Sequence, residues 1–206
     1  MTTTIYIVRH GESEGNVNGD IYGGDPPLTQ IGIDQADALA KVLLSKPINI
    51  IYSSHLKRAH HTAQKIAIKK KLDVVITKEL RERFFGQLEG KKRSHAYEKY
   101  PKKYKEFPTL TAKEQLTWKI VDDMETLEEV SKRTIIFLNK ITKIHKGHSV
   151  LFVTHAHLML SLLTHLGFAT FDQLPYGSIK NTGYVKIESN GSNHEITEVF
   201  GITKTP

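Results

Sequence analysis

The chain has 206 residues, of which 39% are hydrophobic, a composition typical of a globular protein with one core and not of a low-complexity chain. It contains no cysteine, which excludes disulfides and thiolate metal sites. The formal net charge is +7, but the basic residues concentrate in separate short runs without a nucleic-acid-binding motif. We therefore expect the charge to steer anionic substrates, and we predict no nucleic-acid partner.

The first predicted strand is the apolar run Ile5 to Val8, and it ends at Arg9 and His10. An arginine can hold a phosphate with two parallel hydrogen bonds, and a neutral imidazole can attack phosphorus. In an open α/β sheet, ligands bind beyond the carboxyl ends of the strands, and Gly11 lets the backbone turn closely around one. The alternative is a surface arginine and a core-edge histidine that merely share a strand end.

A polar loop follows this pair and brings Asn16, an amide donor, into the same region. The run VRHGESEGN resembles the opening signature of the histidine phosphatase superfamily, the phosphoglycerate mutase-like enzymes. The resemblance implies that His10 is the nucleophile and that Arg9 and Asn16 bind phosphate. Later segments match the same family in the same order, which makes the assignment specific.

The segment DPPLTQIGIDQA predicts a helix that begins near Thr29, a suitable N-cap, and we assign it a structural role only. A second strand, Ile48 to Tyr52, precedes SSHLKRAHHTAQKIA, in which Ser53 and Ser54 are expected to cap a helix that carries Arg58 in its second turn. This block resembles the family's SSxLxRAxxTA element and implies that Arg58 is a second phosphate ligand. Without that match, a solvated helix arginine would be favoured.

The block LRERFFGQLEG resembles the family segment in which many members carry the general acid, and it implies that role for Glu82. A carboxyl group can donate a proton near neutral pH only if its pKa is raised, so we expect burial or neighbouring charge to raise it. Glu79 and Glu89 are alternatives that we expect to face solvent. Arg83 can pair with one of them or reach the substrate.

The apolar run Val150 to Thr154 predicts a buried strand that ends at His155. The resemblance implies that His155 is the second active-site histidine, which stabilises the transferring phosphoryl group as imidazole or imidazolium. Many members have glycine next, whereas Ala156 and His157 follow here. We expect His157 to form a wall of the site or to support its ligands.

Two segments between these blocks match the family less closely. Thr126 and Glu129 predict a capping box at the start of a helix. The Lys- and Tyr-rich segment at about 91–120 is a lid-like insertion that we expect over the mouth of the site. Its aromatic residues line that lid or, alternatively, pack against one another; they are Tyr97, Tyr100, Tyr104, Phe107 and Trp118.

The order of elements predicts one α/β domain over residues 1–206, a three-layer α/β/α sandwich of the phosphoglycerate mutase-like type. Its sheet is expected to be mixed and mostly parallel, with an antiparallel edge formed by a hairpin around Asn190 and Gly191. No apolar stretch approaches the roughly 20 residues of a membrane helix, and the N-terminus has no basic region or cleavage site. We expect a cytoplasmic protein without a membrane partner.

The predicted function is a metal-independent phosphatase that hydrolyses phosphate monoesters of small metabolites through a phosphohistidine. No zinc-ligand spacing such as HExxH occurs, so we predict neither a metal nor another cofactor. A cofactor-dependent phosphoglycerate mutase is the alternative, and a noncatalytic scaffold that binds phosphorylated ligands is a further one. The residues specify neither the natural substrate nor the oligomeric state.

Overall fold

Six strands form one mixed sheet in the computed structural model, which describes residues 1–19 and 23–205. The strands are β1 (Thr3–Arg9), β2 (Ile50–Ser54), β3 (Val74–Thr77), β4 (Ser149–Thr154), β5 (Ile179–Ser189) and β6 (His194–Ile202). Their order across the sheet is β3-β2-β4-β1-β5-β6. The first four are parallel, whereas β5 runs antiparallel to β1 and pairs with β6 as a hairpin. This arrangement confirms the predicted α/β class, the parallel sheet and its antiparallel edge.

Helices cover both faces of the sheet because the buried strands are apolar on both sides. In β1, Ile5 and Ile7 belong to one hydrophobic cluster, while Tyr6 and Val8 belong to the other. The described α-helices are α1 (Glu14–Val17), α2 (Gln30–Leu43), α3 (Lys57–Lys70), α4 (Arg93–Lys99), α5 (Pro101–Glu106), α6 (Ala112–Thr117), α7 (Leu127–Ile144) and α8 (Ala156–His165). Helices α7 and α8 contribute to the first cluster, and α2 and α3 to the second. The result is the predicted three-layer sandwich.

Two of the predicted helix starts are confirmed, and one is wrong. The Thr29 side chain accepts a hydrogen bond from the Gly32 amide at 3.0 Å, and Thr126 forms a capping box with Glu129 at the start of α7. Helix α3, however, begins at Lys57, with Leu56 at its N-cap. The predicted capping residues, Ser53 and Ser54, instead continue β2, because their backbone pairs with β3 as far as Thr77. Arg58 consequently lies in the first turn of α3 rather than the second.

The segment at about 91–120 folds into the short helices α4, α5 and α6. Its aromatic side chains contact one another. Tyr97 stacks on Tyr104 with ring centres 3.8 Å apart, and Phe107 lies 4.6 Å from Trp118. A third hydrophobic cluster, which includes Phe85 and Met124, joins this segment to the strand-end loops. No helix in the described ranges has the length and apolar character needed to cross a membrane.

Candidate active site

Two neighbouring parallel strands bring His10 and His155 together. In the register of β1 and β4, Arg9 lies opposite Thr154, so the histidine that follows each strand emerges at the same edge of the sheet. The His10 amide donates to the Thr154 carbonyl at 3.0 Å, and the two imidazole rings are 5.1 Å apart between centres. Both side chains are buried. Sheet register therefore places the two predicted histidines in contact.

The hydrogen bonds of His10 define its tautomer. Its Nδ1 lies 2.6 Å from the Gly11 carbonyl oxygen, which can only accept, so Nδ1 carries the proton. Its Nε2 accepts a hydrogen bond from Nε of Arg58 at 3.2 Å. Burial, followed by the charges of Arg58 and Arg9, holds the pKa of His10 well below its usual value of 6.5. His10 is thus a neutral imidazole whose unprotonated nitrogen is Nε2.

Two further hydrogen bonds hold Arg58 in place, one at its guanidinium and one at its backbone carbonyl. Its Nη1 donates to the Gly24 carbonyl at 3.3 Å. Its backbone carbonyl accepts from the Thr62 hydroxyl at 2.8 Å, and the same hydroxyl oxygen accepts from the Gly11 amide at 3.0 Å. The first turn of α3 and the loop after β1 are therefore joined, and the Arg58 side chain is buried beside Nε2 of His10.

Arg9 and Asn16 stand on the other side of the histidine. Arg9 donates to the Ile179 carbonyl, and its Nε is a buried donor with no hydrogen-bond partner among the described residues. Oδ1 of Asn16 accepts from the Ser13 amide at 3.1 Å and from Asn181 Nδ2 at 3.3 Å, which directs the Asn16 amide group toward a ligand as a donor.

Asn181 also donates to the His10 carbonyl, at 3.0 Å, and so contacts both His10 and Asn16. Sequence reasoning did not identify it, because it lies at the start of β5, 171 residues from His10. The signal it carried was an asparagine, a residue uncommon in strands, near the start of β5.

Glu82 is a buried carboxylate, contrary to the expected raised pKa. Its Oε1 accepts from the Arg83 amide at 2.8 Å, and its Oε2 lies 3.4 Å from the His157 amide and 3.5 Å from Nδ1 of the same residue. Burial by itself would raise the pKa of Glu82. The hydrogen bond and charge of His157, the nearby His155 and the Arg83 amide outweigh burial and hold this pKa well below 4.5. Because His157 lies in the first turn of α8, the helix dipole also favours the anion.

Arg133 and Glu125 hold the backbone of the Glu82 segment, and neither residue was identified from sequence. Arg133 Nη1 donates to the Glu79 carbonyl at 2.7 Å, and Nη2 donates to the Glu82 carbonyl at 3.2 Å. Its Nε donates to the Glu125 carboxylate at 2.8 Å. The signal available was a glutamate just before the capping box of α7 and an arginine two turns into that helix. These bonds fix where the Glu82 carboxyl lies.

The other acidic and basic residues of this block have structural contacts. Glu79 is exposed, as expected, but Glu89 is only partly exposed and accepts from the amides of Phe85 and Gly24 at 2.9 and 3.1 Å. The expectation that Glu89 faces solvent is therefore wrong, because its carboxylate joins two loops beside the cavity. Arg83 is buried and donates to the backbone carbonyl of Glu125 at 2.6 Å.

His155 lies directly behind His10. Its Nε2 is 2.9 Å from the Ser54 hydroxyl, and its Nδ1 is buried with no hydrogen-bond partner among the described residues. Burial, followed by the charge of Arg58, holds its pKa well below 6.5. Without phosphate, His155 is a neutral imidazole, and only an added negative charge would favour the imidazolium.

A cavity of about 780 Å³, including its open mouth, lies over these residues. Five of the six predicted site residues line it: Arg9, His10, Asn16, Arg58 and Glu82. His155 does not reach its surface, whereas His157 does. The aromatic residues of the segment 91–120 that pack against one another are not among the lining residues, which favours the second of the two alternatives for them.

Comparison with known proteins identifies the family. The model of the histidine phosphatase superfamily (branch 1) matches residues 5–200, almost the whole chain. The chain belongs to this superfamily. Two similar proteins are a putative phosphoserine phosphatase 2 of Hydrogenobacter thermophilus and a metal-independent phosphoserine phosphatase of Arabidopsis thaliana. The first is 32% identical, over 91% of this chain and 90% of the relative. The second is 34% identical, over 78% of this chain and 67% of the relative.

The solved structure of Bacillus stearothermophilus YhfR has the same fold as this histidine phosphatase. It superposes with a TM-score of 0.84 at 28% identity and covers 98% of each chain. Family and relatives together make this protein a phosphoric monoester hydrolase, a phosphatase of small metabolites.

The low pKa values of His10 and His155 predict that the folded protein loses stability in mild acid. As the pH falls through about 6.5, histidines of the unfolded chain take up protons, whereas these two remain neutral in the folded state until a lower pH. The free energy of unfolding should decrease by up to about 1.4 kcal/mol per pH unit for each histidine over this interval. Urea unfolding between pH 7.5 and 5 measures it. A His10→Gln/His155→Gln variant should have a smaller slope; the remainder comes from His55, His145 and His194, whose pKa values burial also lowers. A slope unchanged from wild type would contradict the assignment.

Proposed function

We propose that this histidine phosphatase hydrolyses small phosphate monoesters through a phosphohistidine on His10. The observation that carries the proposal is the state of the His10 imidazole. Its Nδ1 proton is bound by the Gly11 carbonyl, and its Nε2 lone pair is directed at Arg58 beside the cavity. A neutral imidazole with a fixed tautomer and two adjacent guanidiniums is a suitable nucleophile for a phosphate dianion.

Substrate binding replaces one hydrogen bond of Arg58. When the phosphate enters, the guanidinium that donates to Nε2 donates to phosphoryl oxygens instead, which frees the lone pair to face phosphorus. Arg9, with its unpartnered buried Nε, and the Asn16 amide bind further oxygens. His155 assists from behind, as its proton affinity rises beside the bound dianion.

Glu82 supplies and removes the proton. The bound dianion raises the pKa of Glu82 by like-charge repulsion, so the carboxyl group can be protonated in the complex although it is ionised in the free site. As the bond from Nε2 to phosphorus forms, the bond to the ester oxygen breaks and that oxygen takes the Glu82 proton. The Glu82 carboxylate then takes a proton from water, which attacks phosphorus and releases phosphate and neutral His10.

In this scheme, Arg9 and Arg58 supply the positive charge that stabilises the transferring phosphoryl group. The scheme requires neither a metal nor another cofactor. The relative named a metal-independent phosphoserine phosphatase supports this assignment. The site draws on residues from both ends of the chain, from Arg9 to Ile179, and we treat residues 1–206 as one catalytic domain. A cytoplasmic location is part of the proposal.

Replacement of His10 tests the covalent intermediate. In excess chelator, the wild-type protein should hydrolyse 4-nitrophenyl phosphate and form an acid-labile phosphoenzyme. His10→Ala should abolish both. The matched control is His60→Ala, since His60 lies on α3 outside the cavity lining. Turnover that survives His10→Ala, or that requires added metal, would contradict the mechanism. Phosphoryl transfer between positions of phosphoglycerate with negligible hydrolysis would favour the mutase.

Replacement of Glu82 tests the general acid. With a poor leaving group such as an alkyl alcohol, Glu82→Gln should lower the rate of phosphoenzyme formation by about a hundred- to ten-thousandfold. With 2,4-dinitrophenyl phosphate, whose leaving group needs no proton, the same variant should lose far less. Glu79→Gln, at an exposed position of the same segment, is the control. An equal loss for both esters would assign Glu82 a structural role.

A further inference from the structure

His157 lines the cavity but takes no part in the steps proposed so far. It lies in the first turn of α8, two residues after His155. Its backbone amide is 3.4 Å from Oε2 of Glu82, and its Nδ1 is 3.5 Å from the same oxygen. A carboxylate can only accept hydrogen bonds, so Nδ1 is the protonated nitrogen in this contact. One residue therefore presents two donors to one oxygen of the general acid.

Packing fixes the direction of the His157 imidazole. Its ring meets the buried Phe85 ring edge to face, with ring centres 5.5 Å apart. The side chains of His157 and Glu82 are only 18% and 9% exposed, so water screens their interaction weakly. Oε1 of Glu82 accepts from the Arg83 amide at 2.8 Å. Both carboxylate oxygens thus have donors that stabilise the charged form of Glu82.

Bound phosphate competes for most of the other groups around Glu82. Among the described residues, the charged and titratable groups that face Glu82 are Arg9, His10, Arg58, Glu89, His155 and His157. In the proposed mechanism, Arg9 and Arg58 bind phosphoryl oxygens, and His155 assists them. His10 becomes the phosphohistidine, and Glu89 is itself acidic. His157 has no phosphate to hold in that mechanism, so its bonds to Glu82 persist through the cycle.

We propose that His157 is a positioning residue that sets the balance between the acid and base forms of Glu82, and thereby the relative rates of the two half-reactions. This inference rests on the proposed function, in which Glu82 is the acid when the phosphohistidine forms and the base when water attacks it. A donor to the carboxylate favours the base, so His157 favours hydrolysis of the phosphoenzyme over its formation. Burial raises the pKa of Glu82, and the hydrogen bond and charge of His157 are the largest of the effects that lower it.

The experiment measures the two half-reactions separately between pH 5 and 9 by rapid mixing with an alkyl phosphate. Formation of the phosphoenzyme should slow as the pH rises and Glu82 loses its proton, whereas its hydrolysis should slow as the pH falls. His157→Ala removes the imidazole donor, so both limbs should move to higher pH. At the alkaline end, formation should become about two- to tenfold faster, and at the acid end, hydrolysis should become slower by a similar factor.

Matched variants separate hydrogen bonding from packing. His157→Leu fills the space without a donor and should shift both limbs as His157→Ala does. His157→Asn has a side-chain amide that can replace Nδ1 as the donor, so it should restore both limbs toward wild type. His165→Ala, at an exposed position at the end of α8, is the control and should change neither limb. In a Glu82→Gln background, His157→Ala should cause no further shift, because the titrating carboxyl group is gone.

Two results would overturn the inference while leaving the phosphatase mechanism intact. One is a loss of rate in both half-reactions of His157→Ala and His157→Leu with neither limb moved, since that would assign His157 a structural role. The other is an equal shift of the limbs in the Glu82→Gln background, since His157 would then act through another group. In both cases, the phosphoenzyme would still form on His10. Failure of the wild-type protein to form it with any ester would instead contradict the proposed function, and with it this inference.

Discussion

The site depends on a single hydrogen bond, the one that Arg58 donates to Nε2 of His10. It exists because Nδ1 of His10 is held by the Gly11 carbonyl, so that the second ring nitrogen carries the lone pair. A protonated His10 would face Arg58 and Arg9 with like charge inside the protein, and burial adds to that penalty. His10 is therefore a neutral imidazole with a guanidinium bonded to its Nε2. In the proposed mechanism, a phosphate dianion replaces the imidazole as the hydrogen-bond partner of Arg58.

Three features of the surrounding fold hold His10 and Arg58 in place. The parallel register of β1 and β4 aligns His10 with His155, and the Thr62 hydroxyl joins the loop after β1 to the first turn of α3. Gly32 allows α2 to approach the same loop, because a Cβ at that position would lie 1.9 Å from the Glu12 carbonyl oxygen. Glycine at position 32 is thus explained by close packing of the helix against the loop that follows His10.

Much of this architecture could be predicted from the sequence, for physical reasons that differ from element to element. Apolar runs ending in polar residues located β1 and β4, and the order of family segments indicated the roles of His10 and Arg58. Predictions from local sequence were wrong where contacts with distant residues determined the structure or the pKa. Pairing with β3 drew Ser53 and Ser54 into β2, and the hydrogen bonds of His157 and Arg83 lowered the pKa of Glu82. The contacts that bring Asn181, Glu125 and Arg133 to the site join residues far apart in the sequence, so their local signals were too weak to identify them.

The state of Glu82 links the free site to the catalytic cycle. Its carboxylate is stabilised by the α8 N-terminus and by two imidazoles, whereas the proposed mechanism requires a proton on it. The proposal therefore couples phosphate binding to protonation of Glu82, so that the carboxyl group acquires its proton in the complex with substrate. In the proposed cycle, His155 likewise takes up a proton when phosphate binds, and it changes from a neutral imidazole to an imidazolium.

The tautomer and charge of His10 can be measured directly by NMR with ring-labelled ¹⁵N-histidine, using His10→Gln to assign its signals. The account predicts a protonated Nδ1 and an unprotonated Nε2 at neutral pH, unchanged as the pH falls below the usual histidine pKa of 6.5. Addition of vanadate, a phosphate analogue, should then shift the Nε2 resonance specifically as Arg58 is displaced. A proton on Nε2, or an imidazolium at neutral pH, would contradict the assignment of His10 as the poised nucleophile.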